Sequence, residues 1–251
     1  MLMRKSIALF VLALILFTAC EIEVRDVDRS KLKVESKMVL ETEYLYESLE
    51  INFGSGSVAL TGWSETFCKL DIEYREYENG DAEIFIEDGK LMTTSKSKKG
   101  VYLERIEGYV PKNISLVLDG GSGDISLSDF FSPAANLDMG SGDISVKNSQ
   151  IKRLITDAGS GDISLLNISN SDYIEGDTGS GDIYLENCIA LHTIFDTGSG
   201  EVEIIDSEIG RFEADTGSGD IILKDSYIKE RKTDTGSGEV IEKGESNREI
   251  L

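Results

Sequence analysis

Residues 191–204 read LHTIFDTGSGEVEI, and the Gly-Ser-Gly at the centre of this stretch recurs along the chain. The tripeptide begins at Gly121, Gly140, Gly159, Gly179, Gly198, Gly217 and Gly236, an even spacing broken only by one extra position between Gly159 and Gly179. Seven copies in register are an internal repeat, and a repeat outranks any shorter motif inside it. Aligned on the tripeptide, three copies read GSGDISVKNSQIKRLITDA, GSGDIYLENCIALHTIFDT and GSGEVEIIDSEIGRFEADT. The fifth position is always Ile or Val, and the seventh is Leu, Val or Ile until Glu242 in the last copy. Polar and apolar residues alternate after each turn, as in Asp182-Ile183-Tyr184-Leu185, which is the period of a strand with one buried face. β-Branched residues fill the periodic positions and no segment sustains a helical period.

A unit of this size cannot bury its own apolar face, so the copies must stack. The predicted fold is all-β: a single-stranded parallel β-helix, or β-solenoid, with about 19 residues per coil and a less regular N-terminal part. Coils about 4.8 Å apart align Ile125, Ile144, Ile163, Ile183, Val202, Ile221 and Val240 in one internal column, and Leu127, Val146, Leu165, Leu185, Ile204 and Leu223 in another. Each buried side chain contributes roughly 1.5 to 3 kcal/mol before chain entropy is subtracted. The right-handed preference of parallel crossovers favours a right-handed coil.

Asp-Thr-Gly-Ser, at Asp177, Asp196, Asp215 and Asp234, is also the form of the active-site loop of pepsin-like proteases. That chemistry needs two loops facing one another so that two carboxylates share a proton. Stacking translates the copies along one axis and never turns them face to face. The motif is therefore expected to be a turn, its glycines taking dihedrals closed to other residues and its Asp and Ser side chains bonding neighbouring amides.

Stacking also aligns the acids. Asp138, Asp157, Asp177, Asp196, Asp215 and Asp234 form one column, and Asp124, Asp143, Asp162, Asp182, Glu201, Asp220 and Glu239 a second. Neighbouring carboxylates at this spacing repel by roughly 1 kcal/mol even at the dielectric of water. Hydrogen bonds to hydroxyls and amides of the same or the next turn are the expected offset, so no cofactor is required. Calcium is the other candidate, with Asp177, Asp182, Asp196, Glu201, Asp215 and Asp220 as its oxygen ligands. The single histidine, His192, lies at a variable position with no nucleophile beside it in the pattern. No catalytic residues are expected. A polysaccharide-cleaving β-helix is the alternative, but such sites gather unlike residues on irregular loops.

The N-terminus reads as a separate object. Arg4 and Lys5 precede the apolar run Ile7 to Phe17, which is too short to span a bilayer and reads as a signal peptide over 1–19. Phe17-Thr18-Ala19-Cys20 resembles a bacterial lipobox, which implies lipidation of Cys20 and anchoring to the membrane of the cell envelope, with 20–43 as tether. The other cysteines, Cys68 and Cys188, read as small buried apolar residues rather than a disulfide. A net charge of −22 argues against nucleic acid and against anionic lipid head groups as partners of the domain surface.

Residues 44–120 carry a loosened form of the repeat, and 121–251 the regular one. Cys68 to Tyr74 and Ala82 to Glu87 alternate as strands do, whereas Lys90 to Gly100 is polar and basic and reads as a hairpin loop or exposed turn. Trp63 is expected to pack at the end of the solenoid. FGSGSVALTGW, YVPKNISLVLDGGSGDISL and the recurrent TGSGDI turns, spanning about residues 45–245, resemble the bacterial putative adhesin family and the head domain of autotransporter adhesins. The resemblance implies a β-helix on an extracytoplasmic envelope protein with no catalytic residues to carry over, and the chain is expected to be an adhesin-like binding or scaffolding module whose ligand would be a glycan or protein of the envelope or host surface.

Overall fold

The computed structural model describes residues 29–244, so the expected signal peptide and Cys20 lie outside the described residues. Eight strands precede the first regular turn: β1 (Val34–Glu43), β2 (Ser48–Gly54), β3 (Ser57–Trp63), β4 (Phe67–Glu76), β5 (Ala82–Glu87), β6 (Lys90–Ser95), β7 (Tyr102–Pro111) and β8 (Ser115–Gly120). They are followed by β9 (Ile125–Ser128), β10 (Phe131–Met139), β11 (Ile144–Asp157), β12 (Ile163–Ile168), β13 (Ser171–Thr178) and β14 (Ile183–Glu186). The last are β15 (Ile189–Thr197), β16 (Val202–Ile205), β17 (Glu208–Thr216), β18 (Ile221–Lys224), β19 (Tyr227–Thr235) and β20 (Val240–Lys243).

From β8 onward the chain is a parallel β-solenoid with two strands per coil. One sheet, A, stacks β9, β11, β12, β14, β16, β18 and β20; the other, B, stacks β8, β10, β11, β13, β15, β17 and β19. β11 is long enough to round a corner and belongs to both. The register follows the repeat: Ile144 pairs with Ile163, Ile163 with Ile183, Ile183 with Val202 and Val202 with Ile221. These side chains are fully buried between the sheets, together with Leu154, Ile174 and Phe212 from sheet B. Phe195 packs edge-on against Phe212, and a Cβ on Gly176 would come within 3.0 Å of the Phe195 ring, so that glycine makes room for it.

The turn glycines serve closeness, not unusual dihedrals. Of the Gly-Ser-Gly starts, only Gly54 and Gly159 have φ in the left-handed region, at 59° and 33°. A Cβ on Gly142 would instead stand 1.3 Å from the Gly123 carbonyl oxygen, and one on Gly198 2.4 Å from that of Gly179. Backbone rests directly on backbone at this corner, and a side chain would wedge the coils apart. In the regular coils the left-handed residues other than glycine sit at the opposite corner. Asp129, Asn148, Asn167, Asn187, Asp206 and Asp225 hold φ between 48° and 63°, and Gly244 continues the column at 93°. Asn and Asp tolerate this region because their short side chains bond locally; Asn187 Nδ2 donates to Asn167 Oδ1 and Asn167 Nδ2 to Asn148 Oδ1. The one longer period is absorbed between β12 and β13, where Asn170 adds a left-handed residue at φ 53°.

The segment 44–120 is not a run of loosened coils. β2 and β3 flank a Gly-Ser-Gly turn and stack in register on β8 and β9, with Ile51 on Leu118 and Val58 on Ile125, so they form a true first coil. Between Trp63 and Ser115 the chain leaves that coil and folds back on itself. β7 lies parallel to β3, β4 antiparallel to β7, and β1 antiparallel to β4, while β5 and β6 form a hairpin beside β2. Antiparallel neighbours need only short connections, whereas each further parallel coil would need a crossover. Gly108, at φ 148°, lets β7 and β4 meet, since a Cβ there would lie 2.1 Å from the Lys69 carbonyl oxygen. Val34–Glu43, within the expected tether, is thus a sheet-A strand, and Lys90–Ser95, read as loop, is the second strand of the hairpin.

Candidate functional site

The second acidic column stands at the sheet-A end of the glycine corner, where each aspartate can reach the amide of its counterpart one coil on. The amide of Asp143 donates to Asp124 Oδ1 at 3.1 Å, Asp162 to Asp143 at 2.9 Å, Asp182 to Asp162 at 2.8 Å and Glu201 to Asp182 at 2.7 Å. Ser57 Oγ starts the ladder by accepting from the Asp124 amide, and the Glu239 amide donates to Asp220 Oδ1. These bonds offset the like-charge repulsion from coil to coil. At Glu201 no such bond joins the carboxylate to Asp220 among the described residues. Burial, then Glu203 and the flanking Asp182 and Asp220, push its carboxyl above the ordinary range. The calcium candidates divide between this column (Asp182, Glu201, Asp220) and the other (Asp177, Asp196, Asp215); among the described residues no three such side chains converge on one point.

The first acidic column pairs residue on residue from Asp119 through Asp138, Asp157, Asp177, Asp196 and Asp215 to Asp234, all exposed. Burial, then the charge of Asp157, raises the carboxyls of Asp138 and Asp177. The Asp of the DTGS motif thus faces solvent while its Thr turns inward. Thr197 is fully buried, donates to the Gly181 carbonyl at 2.9 Å and accepts from the Gly200 amide at 3.0 Å; Thr178 does the same with Gly161 and Gly181. The threonine, not the serine, ties turn to turn, a role that motif reading passed over although the residue recurs at the period.

A third column runs Phe130, Ser149, Ile168, Cys188, Ser207, Ser226 just past the Asn/Asp corner. Ser207 Oγ accepts the Cys188 amide of the coil before and donates to the Ile205 carbonyl in its own. Cys188 takes the serine part, its Sγ accepting the Ile168 amide at 3.3 Å and donating to the Glu186 carbonyl at 3.2 Å. Burial pushes its thiol up to about 12, and likewise that of Cys68 on β4. Neither cysteine is in a disulfide.

The outward face of sheet B carries the least repetitive chemistry. The Arg153 guanidinium lies 4.4 Å above the Tyr173 ring, and His192, one coil on, meets Tyr173 edge-on with centroids 5.5 Å apart. Tyr173 donates to Glu175 at 2.8 Å, and Glu213 accepts His192 at 3.3 Å and Arg211 at 2.8 Å. Burial raises the Glu213 carboxyl, but those two partners outweigh it and hold the group below the ordinary range. Beside this stack Ile189 and Leu191 are 49 % and 67 % exposed. Trp63 stands where the chain leaves the first coil, stacked on Tyr109 at 5.1 Å and donating to the Phe67 carbonyl at 2.9 Å.

The sequence matches the family Toastrack DUF4097 over residues 33–188 and again over 169–244, which together cover nearly the whole described chain. The chain belongs to the Toastrack family. Among solved structures, the chain is similar in fold to a putative adhesin from Parabacteroides distasonis, with TM-score 0.53 and 12 % identity, covering 84 % of this chain and 97 % of that one. A putative adhesin from Parabacteroides merdae gives TM-score 0.51 and 13 % identity, covering 84 % and 96 %. One from Bacteroides fragilis gives 0.50 and 12 %, covering 83 % and 97 %. At these identities the likeness is one of fold. No curated protein matches the sequence.

Proposed function

We propose that this Toastrack chain is a non-catalytic binding module of the cell envelope, anchored by lipid on Cys20, that presents the outward face of sheet B to a protein or glycan ligand. The observation that carries the reading is the juxtaposition on that face of exposed Ile189 and Leu191 with the Arg153–Tyr173–His192 stack. Apolar side chains left in water beside pre-ordered aromatic and charged groups are what a recognition surface offers. Its similarity in fold to putative adhesins supports an extracytoplasmic, adhesin-like role. The Phe17-Thr18-Ala19-Cys20 sequence supports the anchor. Calcium has no part in this reading, because amide bonds already engage most of the second acidic column.

The test is a binding screen against envelope glycans and extracellular matrix proteins, repeated with Leu191→Asp/Tyr173→Ala. A ligand bound by the parent and lost by the variant, with unchanged melting, supports the assignment. Retained binding, or turnover of a glycan, overturns it. Cys20→Ala should separately abolish labelling by a fatty-acid analogue, and chelators should leave the melting midpoint unchanged.

A further inference from the structure

The charge is unevenly spread along the solenoid axis. Residues 115–244 hold 9 Lys and Arg against 25 Asp and Glu, a net of −16, whereas 29–114 hold 12 against 16, a net of −4. Four of the twelve positive charges in the second group gather at one place. Lys33, just before β1, has its Nζ 5.9 Å from the Tyr77 ring centroid, and Lys99, just after β6, has its own 5.6 Å from the same ring. Lys96 and Lys98 share the Lys99 turn, and Lys96 Nζ donates to the Gly80 carbonyl. All four lysines are exposed, and among the described residues no carboxylate lies within 4.0 Å of their ammonium groups. The nearby acids are Glu76 and Asp81, buried and bonded to Ser36 and the Ala82 amide and to Ser95 and Ser97, and the exposed Glu78. β1, β4, β5 and β6 are the outermost strands at the end of the stack opposite β19 and β20, and the first described residue, Arg29, is at this end too.

We propose that Lys33, Lys96, Lys98 and Lys99, grouped around Tyr77, seat this end of the solenoid on an anionic lipid surface. The proposal rests on the reading that the segment ahead of Arg29 holds the chain at a membrane, because that segment brings this end to the bilayer. A polybasic cluster of four beside an anchor is the arrangement that adds a second, electrostatic signal to a lipid chain. The acidic coils do not cancel it. Stacked at about 4.8 Å, most of the coils lie more than one Debye length, about 8 Å at physiological salt, from the lysines. The solenoid's own −16 then pushes its far end away from the lipid, so the coils stand off the surface with their lateral faces free. Overall charge had argued against anionic lipid; the separation of charge along the axis restores it for one end alone.

The test is sedimentation of the full chain with vesicles of phosphatidylcholine and of phosphatidylcholine with phosphatidylglycerol, the apolar N-terminus contributing to both. The parent should prefer the anionic vesicles, and Lys96→Glu/Lys98→Glu/Lys99→Glu should lose at least about tenfold of that preference, since one lysine is worth roughly fivefold. Lys147→Glu/Lys224→Glu/Lys243→Glu makes the same change in net charge on the coils and should keep the preference. Circular dichroism melts confirm that both variants fold. Retained preference in the first variant, equal loss in the second, or release of the parent by millimolar inorganic phosphate at constant ionic strength overturns the proposal. Failure of the anchor would appear instead as unlabelled Cys20, which the vesicle preference does not read.

Discussion

Arg231 and Glu242 form an ion pair, Nη1 to Oε1 2.5 Å, across the open end of the solenoid. Arg231 occupies the sheet-B position held one coil earlier by buried Phe212, and Glu242 the sheet-A position held by Leu223. The last coil therefore keeps the backbone of the repeat and replaces two of its core positions with charge, which gives the stack a wetter end, as terminal repeats require. Arg231→Leu/Glu242→Leu should expose an apolar end between unpaired strand edges. Sedimentation velocity at matched concentration should give the variant a larger, concentration-dependent mass than the parent; identical masses would show that the pair does not guard this end.

The glycine corner predicts a steep dependence on position. Gly142→Ala forces a Cβ onto the Gly123 carbonyl oxygen and should cost at least about 3 kcal/mol in denaturant unfolding. Gly54→Ala meets nothing within 4 Å and carries only the left-handed backbone penalty, about 1 to 2 kcal/mol. The reverse order would mean that dihedrals, not stacking, select these glycines.

Thr193 is fully buried between Ile174 and Phe212 in register, and among the described residues its Oγ1 has no hydrogen-bond partner. Thr193→Val keeps the shape and removes a desolvated hydroxyl, so stability should rise by about 1 kcal/mol. For a chain of this length the melting midpoint should climb about 2 to 4 °C.

Cys188 behaves as a serine in its ladder, so Cys188→Ser should unfold within about 1 kcal/mol of the parent. Cys188→Val leaves the Ile168 amide without its acceptor and should cost about 1 to 3 kcal/mol. With the thiol buried and pushed up to about 12, alkylation by iodoacetamide at neutral pH should require denaturant.

The two ends of the molecule should respond to acid with opposite sign. In the coils, Asp138, Asp177 and Glu201 are raised, first by burial and then by carboxylate neighbours, from 3.8 for the aspartates and 4.5 for the glutamate. Their contribution is complete below those values and is lost as pH climbs through the folded ones. In the β1–β7 part burial also pushes Glu76, Asp81 and Glu104 up, but hydrogen bonds from Ala82, Ser97 and Arg75 outweigh it and lower them from 4.5, 3.8 and 4.5. Theirs is present above those values and disappears as pH falls through the folded ones. Hydrogen exchange corrected for intrinsic rates should show protection of β11–β18 rising from pH 7 toward 4.5, and protection of β1–β7 falling below about 4.

Much of this molecule follows from one spacing. A fixed period with apolar residues at its fifth and seventh positions dictates which side chains stack, because each coil touches only its neighbours and identical coils repeat identical contacts. The internal columns, the acidic columns and the exclusion of the two-loop protease geometry were all legible on that basis. The left-handed Asn and Asp corner was present in the same alignment, as an unbroken column from Asp129 to Asp225, but its dihedrals show only in the backbone. The N-terminal part follows no period. Ile51 meets Leu118 although β3 to β7 lie between them in the chain, and whether that intervening stretch adds coils or folds back depends on pairings that leave no local trace. The basic end has the same origin: Lys33 precedes β1 and Lys99 follows β6, and they meet at Tyr77 only because antiparallel strands bring their ends together. Repetition makes contacts local enough to read, and where it stops only the folded chain decides which residues become neighbours.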